Sequence, residues 1–146
     1  MPSTPTGARG GVKASEVLAF AGVVLLVAVL VLPRVHQSNV RARQEKAARD
    51  IATLSTALDK YRIDNGRYPT KDQGLKALRE APTAAPLPKH WAGPYLQRAV
   101  PRDPWGKDYI YVCPGGHNPN RFDLFSKGAD GKDGGHGDGA DVGNWE

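Results

Sequence analysis

The sequence predicts an α+β fold, a long N-terminal helix packed on a small antiparallel sheet. Three observations lead there. An uncharged apolar run from Val17 to Leu32 passes into a stretch whose apolar residues recur at helical spacing. Most of the 17 glycines and 12 prolines fall in the second half, which favours turns and short strands over long helices. Two short segments there, Lys107 to Cys113 and Arg121 to Ser126, read as strands separated by Pro114-Gly115-Gly116. At 146 residues the chain has room for one small domain.

Val17 to Leu32 are all apolar or small, slightly short of the roughly 20 residues that cross a bilayer comfortably. The run reads as a membrane anchor. A cleaved secretory signal is its rival, because Arg9 and Lys13 precede it. Against cleavage, Glu16 stands at its start and Leu30 to Arg34 offers no small-x-small site. Beyond Pro33, which removes one backbone donor and favours a kink, Val40, Ala47, Ile51, Leu54, Leu58 and Tyr61 form one helical stripe. Asp64-Asn65-Gly66 supplies the stop.

Thr70 and Gln73 have the spacing of a capping box, so a second short helix carrying Leu75 and Leu78 is expected before Pro82. The stretch to Pro88 is too rich in proline for regular structure, and Asp103-Pro104-Trp105-Gly106 reads as a turn.

The net charge of +5 does not mark a nucleic-acid binder. The basic residues gather just after the apolar run (Arg34, Arg41, Arg43, Lys46, Arg49) with no stacking platform or groove-reading motif beside them. By the positive-inside tendency alone, that cluster would keep the following portion in the cytosol. Cys113 is the one cysteine, so no intramolecular disulfide or multi-cysteine zinc site forms; it reads as a buried apolar side chain, with an exposed thiol as the alternative. His90 or His117 with Asp103 would be the material of a hydrolase, but no nucleophile stands with a base at motif spacing.

From Lys127 to Asp141 the chain combines Asp130, Asp133, Asp138 and Asp141 with six glycines, hard oxygen ligands on a pliable backbone that suit calcium. The EF-hand pattern fails, because Lys132 and Gly134 stand where ligands are needed, and a lone His136 is a poor zinc site. A solvated acidic tail is the alternative, although Val142 and Trp145 look like residues that pack.

Tyr68-Pro69-Thr70, Gln73-Gly74-Leu75, Leu78, Gly93-Pro94-Tyr95, Asp103-Pro104-Trp105-Gly106, Tyr109, Pro114-Gly115, Asp123-Leu124, Ser126, Gly128, Asp130-Gly131 and Asn144-Trp145 follow one another in an order that resembles the major pseudopilins of type II secretion systems. The resemblance implies a type IV pilin-like fold with a calcium-binding C-terminal loop. It divides the chain into a prepilin leader (1–11), the membrane-anchor half of the helix (12–33), its soluble half (34–65) and a periplasmic head (66–146). Gly11, Val12, Glu16 and Pro33 stand where that family has the last leader residue, the first mature residue, the anchor acid and the helix proline, with Val12 in place of the usual Phe.

The implied processing and assembly residues are therefore Gly11, Val12 and Glu16, cut by prepilin peptidase after Gly11. Glu16 would pair with the freed amine of a neighbouring copy; complementing the helix dipole is the alternative. The implied calcium (Ca2+) ligands are the Lys127 carbonyl, Asp130, Asp138 and Asp141, with Asp133 the rival of Asp138. The implied role is a homopolymeric filament, not an enzyme, working with minor pseudopilins and the inner-membrane secretion platform. The location is the bacterial inner membrane, crossed once, with the head in the periplasm. A type IV pilin or minor pseudopilin is the alternative.

Overall fold

The computed structural model describes residues 14–145; within the long helix it describes the side chains of 20–26 and of 37 onward. That helix, α1, runs unbroken from Ala14 to Asn65 and continues through Pro33. The chain divides into two compact units between Ser38 and Asn39.

In the first unit, Phe20, Val23, Val24, Leu25 and Leu26 are each at least 60% exposed. Among the described residues, no helix is long and apolar enough to cross a membrane.

In the second unit, the stripe foreseen on α1 is the heart of the core: Ala47, Ile51, Leu54, Leu58 and Tyr61 are buried, while Val40 is only partly covered. The helix ends where expected. Gly66 takes a φ of 75° and its N–H reaches the Arg62 carbonyl at 2.8 Å. Asn65 does more than terminate. Buried, it donates to the Tyr61 carbonyl (2.9 Å) and the Tyr95 hydroxyl (3.2 Å) and accepts the His90 N–H (3.1 Å), pinning the proline-rich stretch to the helix end.

The capping box forms, Thr70 N–H to Gln73 Oε1 at 3.0 Å and Gln73 N–H to Thr70 Oγ1 at 3.2 Å. The helix after it is shorter than a capping box usually introduces, a single 3-10 turn from Leu75 to Leu78. Gly74, at φ 56°, breaks the helical conformation directly before it.

Three strands form one antiparallel sheet in the order β1 (Ile110–Val112), β2 (Asp123–Ser126) and β3 (Val142–Gly143). Tyr111 pairs with Leu124, and Phe125 with Gly143. The period of two puts Tyr109 and Tyr111 of one strand segment, and Phe122 and Leu124 of the next, into one core cluster with the α1 stripe. Burial, and next to it the Asp50 carboxylate that accepts its proton at 2.9 Å, push the Tyr109 phenol up, so it remains a donor. Cys113 is half-buried and packs against the core, its Sγ 3.6 Å from the Arg121 carbonyl. The long helix on a small antiparallel sheet is therefore as the sequence predicted; β3 is an addition to it.

The turn between β1 and β2 is built around Asp123, which is buried. It accepts the His117 N–H (2.8 Å), the Asn118 N–H (3.0 Å) and the Asn118 side-chain amide (3.1 Å). The His117 ring lies 3.2 Å from the same carboxylate and stacks on Trp145 at 3.9 Å. Burial pushes this carboxyl up, but the donors from His117 and Asn118 outweigh it and hold it below the usual carboxylate range.

A depressed folded-state pKa contributes stability that is complete above the unfolded value, about 3.9, and is lost as pH falls through the folded value. Asp123→Asn should therefore cost about 2 kcal/mol at pH 7, since the amide turns a donor toward existing donors. The gap to the unsubstituted protein should close below about pH 4. Denaturant titrations at pH 7, 4 and 2.5 check both the size and the sign.

Candidate metal centre in the acidic loop

The acidic stretch is an ordered loop slung between β2 and β3. Its own backbone bonds close it: Gly131 N–H to Lys127 O (3.1 Å), Ala129 N–H to Asp138 O (2.9 Å) and Asp141 N–H to Gly134 O (3.2 Å). Glycine is required where the two arms touch. At Gly128, with φ 58°, a Cβ would lie 2.7 Å from the Ala140 carbonyl oxygen. Residues 129–137 are exposed to solvent, but the chain beyond them is anchored. Val142 is buried, and Trp145 packs on His117 and Phe125.

Charge pairing sorts the four carboxylates into two kinds. Asp133 meets the Lys127 ammonium at 2.6 Å. Asp138 is held at both oxygens, Oδ2 by the Arg43 guanidinium (2.9 Å) and Oδ1 by the Trp105 indole N–H (2.9 Å). Among the described residues, neither Asp130 nor Asp141 has a cationic side chain within ion-pair reach.

Asp130 Oδ1 accepts the Lys132 N–H at 3.0 Å, and its Oδ2 lies 3.0 Å from where a Cβ on Gly139 would stand. Asp141 Oδ2 accepts the Gly134 N–H at 2.9 Å, while its Oδ1 is buried with no hydrogen-bond partner among the described residues. A buried carboxylate oxygen without a donor is costly unless something positive reaches it.

Two unpaired carboxylates amid loop carbonyls make a hard-oxygen set that fits calcium better than zinc or iron. No three acidic, imidazole or thiol side chains converge on one point among the described residues. A cation here would thus lean on backbone carbonyls as much as on side chains. Of the four ligands read from the sequence, the Lys127 carbonyl, Asp130 and Asp141 accept only backbone N–H groups among the described residues, whereas both oxygens of Asp138 already accept side-chain donors, the Arg43 guanidinium and the Trp105 indole.

Four residues that contact the loop were not foreseen in the sequence. Besides Arg43 and Trp105, Gln44 Nε2 donates to the Gly137 carbonyl (2.8 Å), and the Lys107 ammonium donates to the Gly128 and Ala129 carbonyls (3.0 and 2.9 Å). The signal available was the basic cluster on α1. Arg43 now serves the loop, Lys46 binds Asp50 (2.6 Å) and Arg49 lies 3.7 Å from Glu45, so these charges stabilise the head itself.

The hydrolase set is not assembled. Asp103 is occupied by Ser126, Trp105 and Lys107, and His117 faces Asp123. Gly11 and Val12 lie outside the described residues, as does the Glu16 side chain.

Residues 34–145 match the model of the family described as Type II secretion system (T2SS), protein G. A type II secretion system core protein G from Vibrio cholerae is 45% identical over 131 residues, 89% of this chain and 87% of that one. Its counterpart in Pseudomonas aeruginosa is 41% identical over 138 residues, 94% and 96% of the two chains. The crystal structure of the major pseudopilin from the type 2 secretion system of enterohaemorrhagic Escherichia coli superposes with a TM-score of 0.64 at 40% identity, covering 74% of this chain and 87% of that one. With the family matched over most of its length and a fold shared with that pseudopilin, the chain belongs to the type II secretion system protein G family.

Proposed function

We propose that this chain is the major pseudopilin of a type II secretion system, polymerising into the periplasmic filament that supports export of folded proteins. The observation that carries the proposal is the exposed apolar stretch Phe20 to Leu26, on the same helix whose later turns form the core of the head. A helix face this apolar needs lipid or other copies of itself to cover it. Residues 12–33 sit in the inner membrane before assembly, and the head lies in the periplasm. Prepilin peptidase cuts after Gly11, freeing the Val12 amine to pair with Glu16 of a neighbouring copy. Minor pseudopilins and the inner-membrane platform are the other partners. The activity is assembly rather than turnover.

The loop takes part in this reading as a calcium site. The Lys127 carbonyl, Asp130 and Asp141 would hold the ion, which when bound supplies the positive charge that the buried Asp141 Oδ1 lacks. Asp141 and Asp130 both border Gly134 and Gly135, so neutralising them draws that segment against the head.

The test is expression of the full chain in a type II secretor deleted for its own major pseudopilin. Secretion should return, filaments should appear on overexpression, and mass spectrometry should find the mature chain starting at Val12. A mature start elsewhere, or a chain that is processed but neither self-associates nor restores secretion, rejects the proposal.

A further inference from the structure

The residue that departs from the metal-ligand set is Asp138, and its contacts describe a different task. Its carboxylate bridges two separate parts of the head. Oδ2 pairs with Arg43 on α1 and Oδ1 accepts the indole N–H of Trp105, in the turn before β1. The adjacent Gly137 carbonyl accepts from Gln44, so consecutive loop residues are fastened to consecutive helix residues. A further cation, Lys107, holds the opposite arm of the loop by the Gly128 and Ala129 carbonyls.

We propose that Asp138 is a cation-independent clasp, seating the acidic loop on α1 and on Trp105 whether or not an ion occupies it. The clasp rests on the calcium reading only where the two are compared; the Arg43, Gln44 and Trp105 contacts carry it alone.

Each Asp138 oxygen already accepts one bond, from the Arg43 guanidinium and from the Trp105 indole N–H, so a metal ion would have to compete for the remaining lone pairs beside a positive charge already in place. Among the described residues, Asp130 and Asp141 have no cationic side chain to give up. Division of labour follows: Asp138 fixes where the loop sits, and the other two acids respond to the ion.

The experiment uses the full chain in detergent micelles with 15N-labelled tryptophan, comparing the unsubstituted protein with Asp138→Ala, Arg43→Ala and Asp141→Asn. In excess EGTA, Asp138→Ala should shift the Trp105 indole N–H resonance and lower the melting temperature by about 4 °C. Arg43→Ala should shift the same resonance. In calcium titrations, Asp138→Ala should stay within about threefold of the unsubstituted affinity, and Asp141→Asn should weaken it more than about tenfold.

Asp138→Asn, which retains an acceptor for the indole, serves if the alanine variant does not fold. Its melting temperature should fall in EGTA while its calcium affinity holds. The clasp is overturned if position 138 variants lose calcium as fully as Asp141→Asn. It is equally overturned if the Trp105 resonance and the EGTA melt are unmoved by changes at both 138 and 43. Should the unsubstituted protein bind no calcium, the ion reading fails, and the EGTA measurements still decide the clasp.

Discussion

Replacing Asp103 with alanine should destabilise the head by about 4 kcal/mol, one of the largest effects expected of any single side chain in it. Asp103 is buried and serves three donors: its Oδ1 takes the N–H groups of Trp105 (3.0 Å) and Lys107 (2.7 Å), and its Oδ2 takes the Ser126 hydroxyl (2.5 Å). Ser126 in turn accepts the Gly128 N–H at 3.2 Å, so the network runs from the turn, through the end of β2, into the first residues of the acidic loop. Truncation leaves the fully buried Ser126 hydroxyl and two partly buried N–H groups unmet, and each unmet buried group costs about 1–3 kcal/mol. The melting temperature followed by circular dichroism should fall by roughly 15 °C. Asp103→Asn should lose less, because one carbonyl oxygen remains to cap the turn. A fall of only a degree or two in the alanine variant would mean that the network is not holding the turn to the sheet.

That turn shows which features the sequence carried openly. Asp103-Pro104-Trp105-Gly106 announces itself by residue type, because an Asp side chain bonding to nearby N–H groups and a glycine at φ 83° are local properties. The same holds for Gly66 after α1, the Thr70–Gln73 box and the alternation through Tyr109 and Tyr111. What local chemistry cannot encode is pairing decided by a distant partner. β3 is two residues, Val142 and Gly143, too short for any periodicity, and it is a strand only because Phe125 and Ser126 stand opposite. The 3-10 turn at Leu75 fell short of an α-helix because Gly74 could adopt, and here does adopt, a conformation that a capping box does not foretell.

In the candidate site the divide is sharper. Composition located the loop, and the glycines and acids that made it look like a calcium site are all there. The assignment among four chemically identical carboxylates depended on cations elsewhere in the chain: Arg43 is 95 positions from Asp138, and Trp105 is 33. The family resemblance implied Asp138 as a ligand, with Asp133 its rival, while the fold brings a guanidinium to Asp138 and, among the described residues, leaves Asp141 Oδ1 without a partner. The basic cluster after the apolar run, which by charge count opposed a periplasmic head, is partly spent on the head's own acids.

Asp141→Asn should abolish the effect of calcium on the head's stability while leaving the loop's shape intact. The asparagine keeps an oxygen for the Gly134 N–H and exchanges the charged Oδ1 for a neutral amide nitrogen. At calcium one hundred times Kd, binding to the folded state alone stabilises by about 2.7 kcal/mol, so the unsubstituted chain should melt roughly 10 °C higher than in EGTA. The variant should show almost no difference between the two conditions. The sign in EGTA is the more discriminating part. Without an ion the buried Asp141 Oδ1 is an unpartnered charge, and removing that charge relieves a cost. Asp141→Asn should therefore be at least as stable as the unsubstituted chain in chelator and less stable in calcium, the two melting curves exchanging order. If the variant keeps the full calcium shift, the ion is held elsewhere; if it is weaker by the same amount in both conditions, Asp141 is a structural acid and the loop closes without any ion.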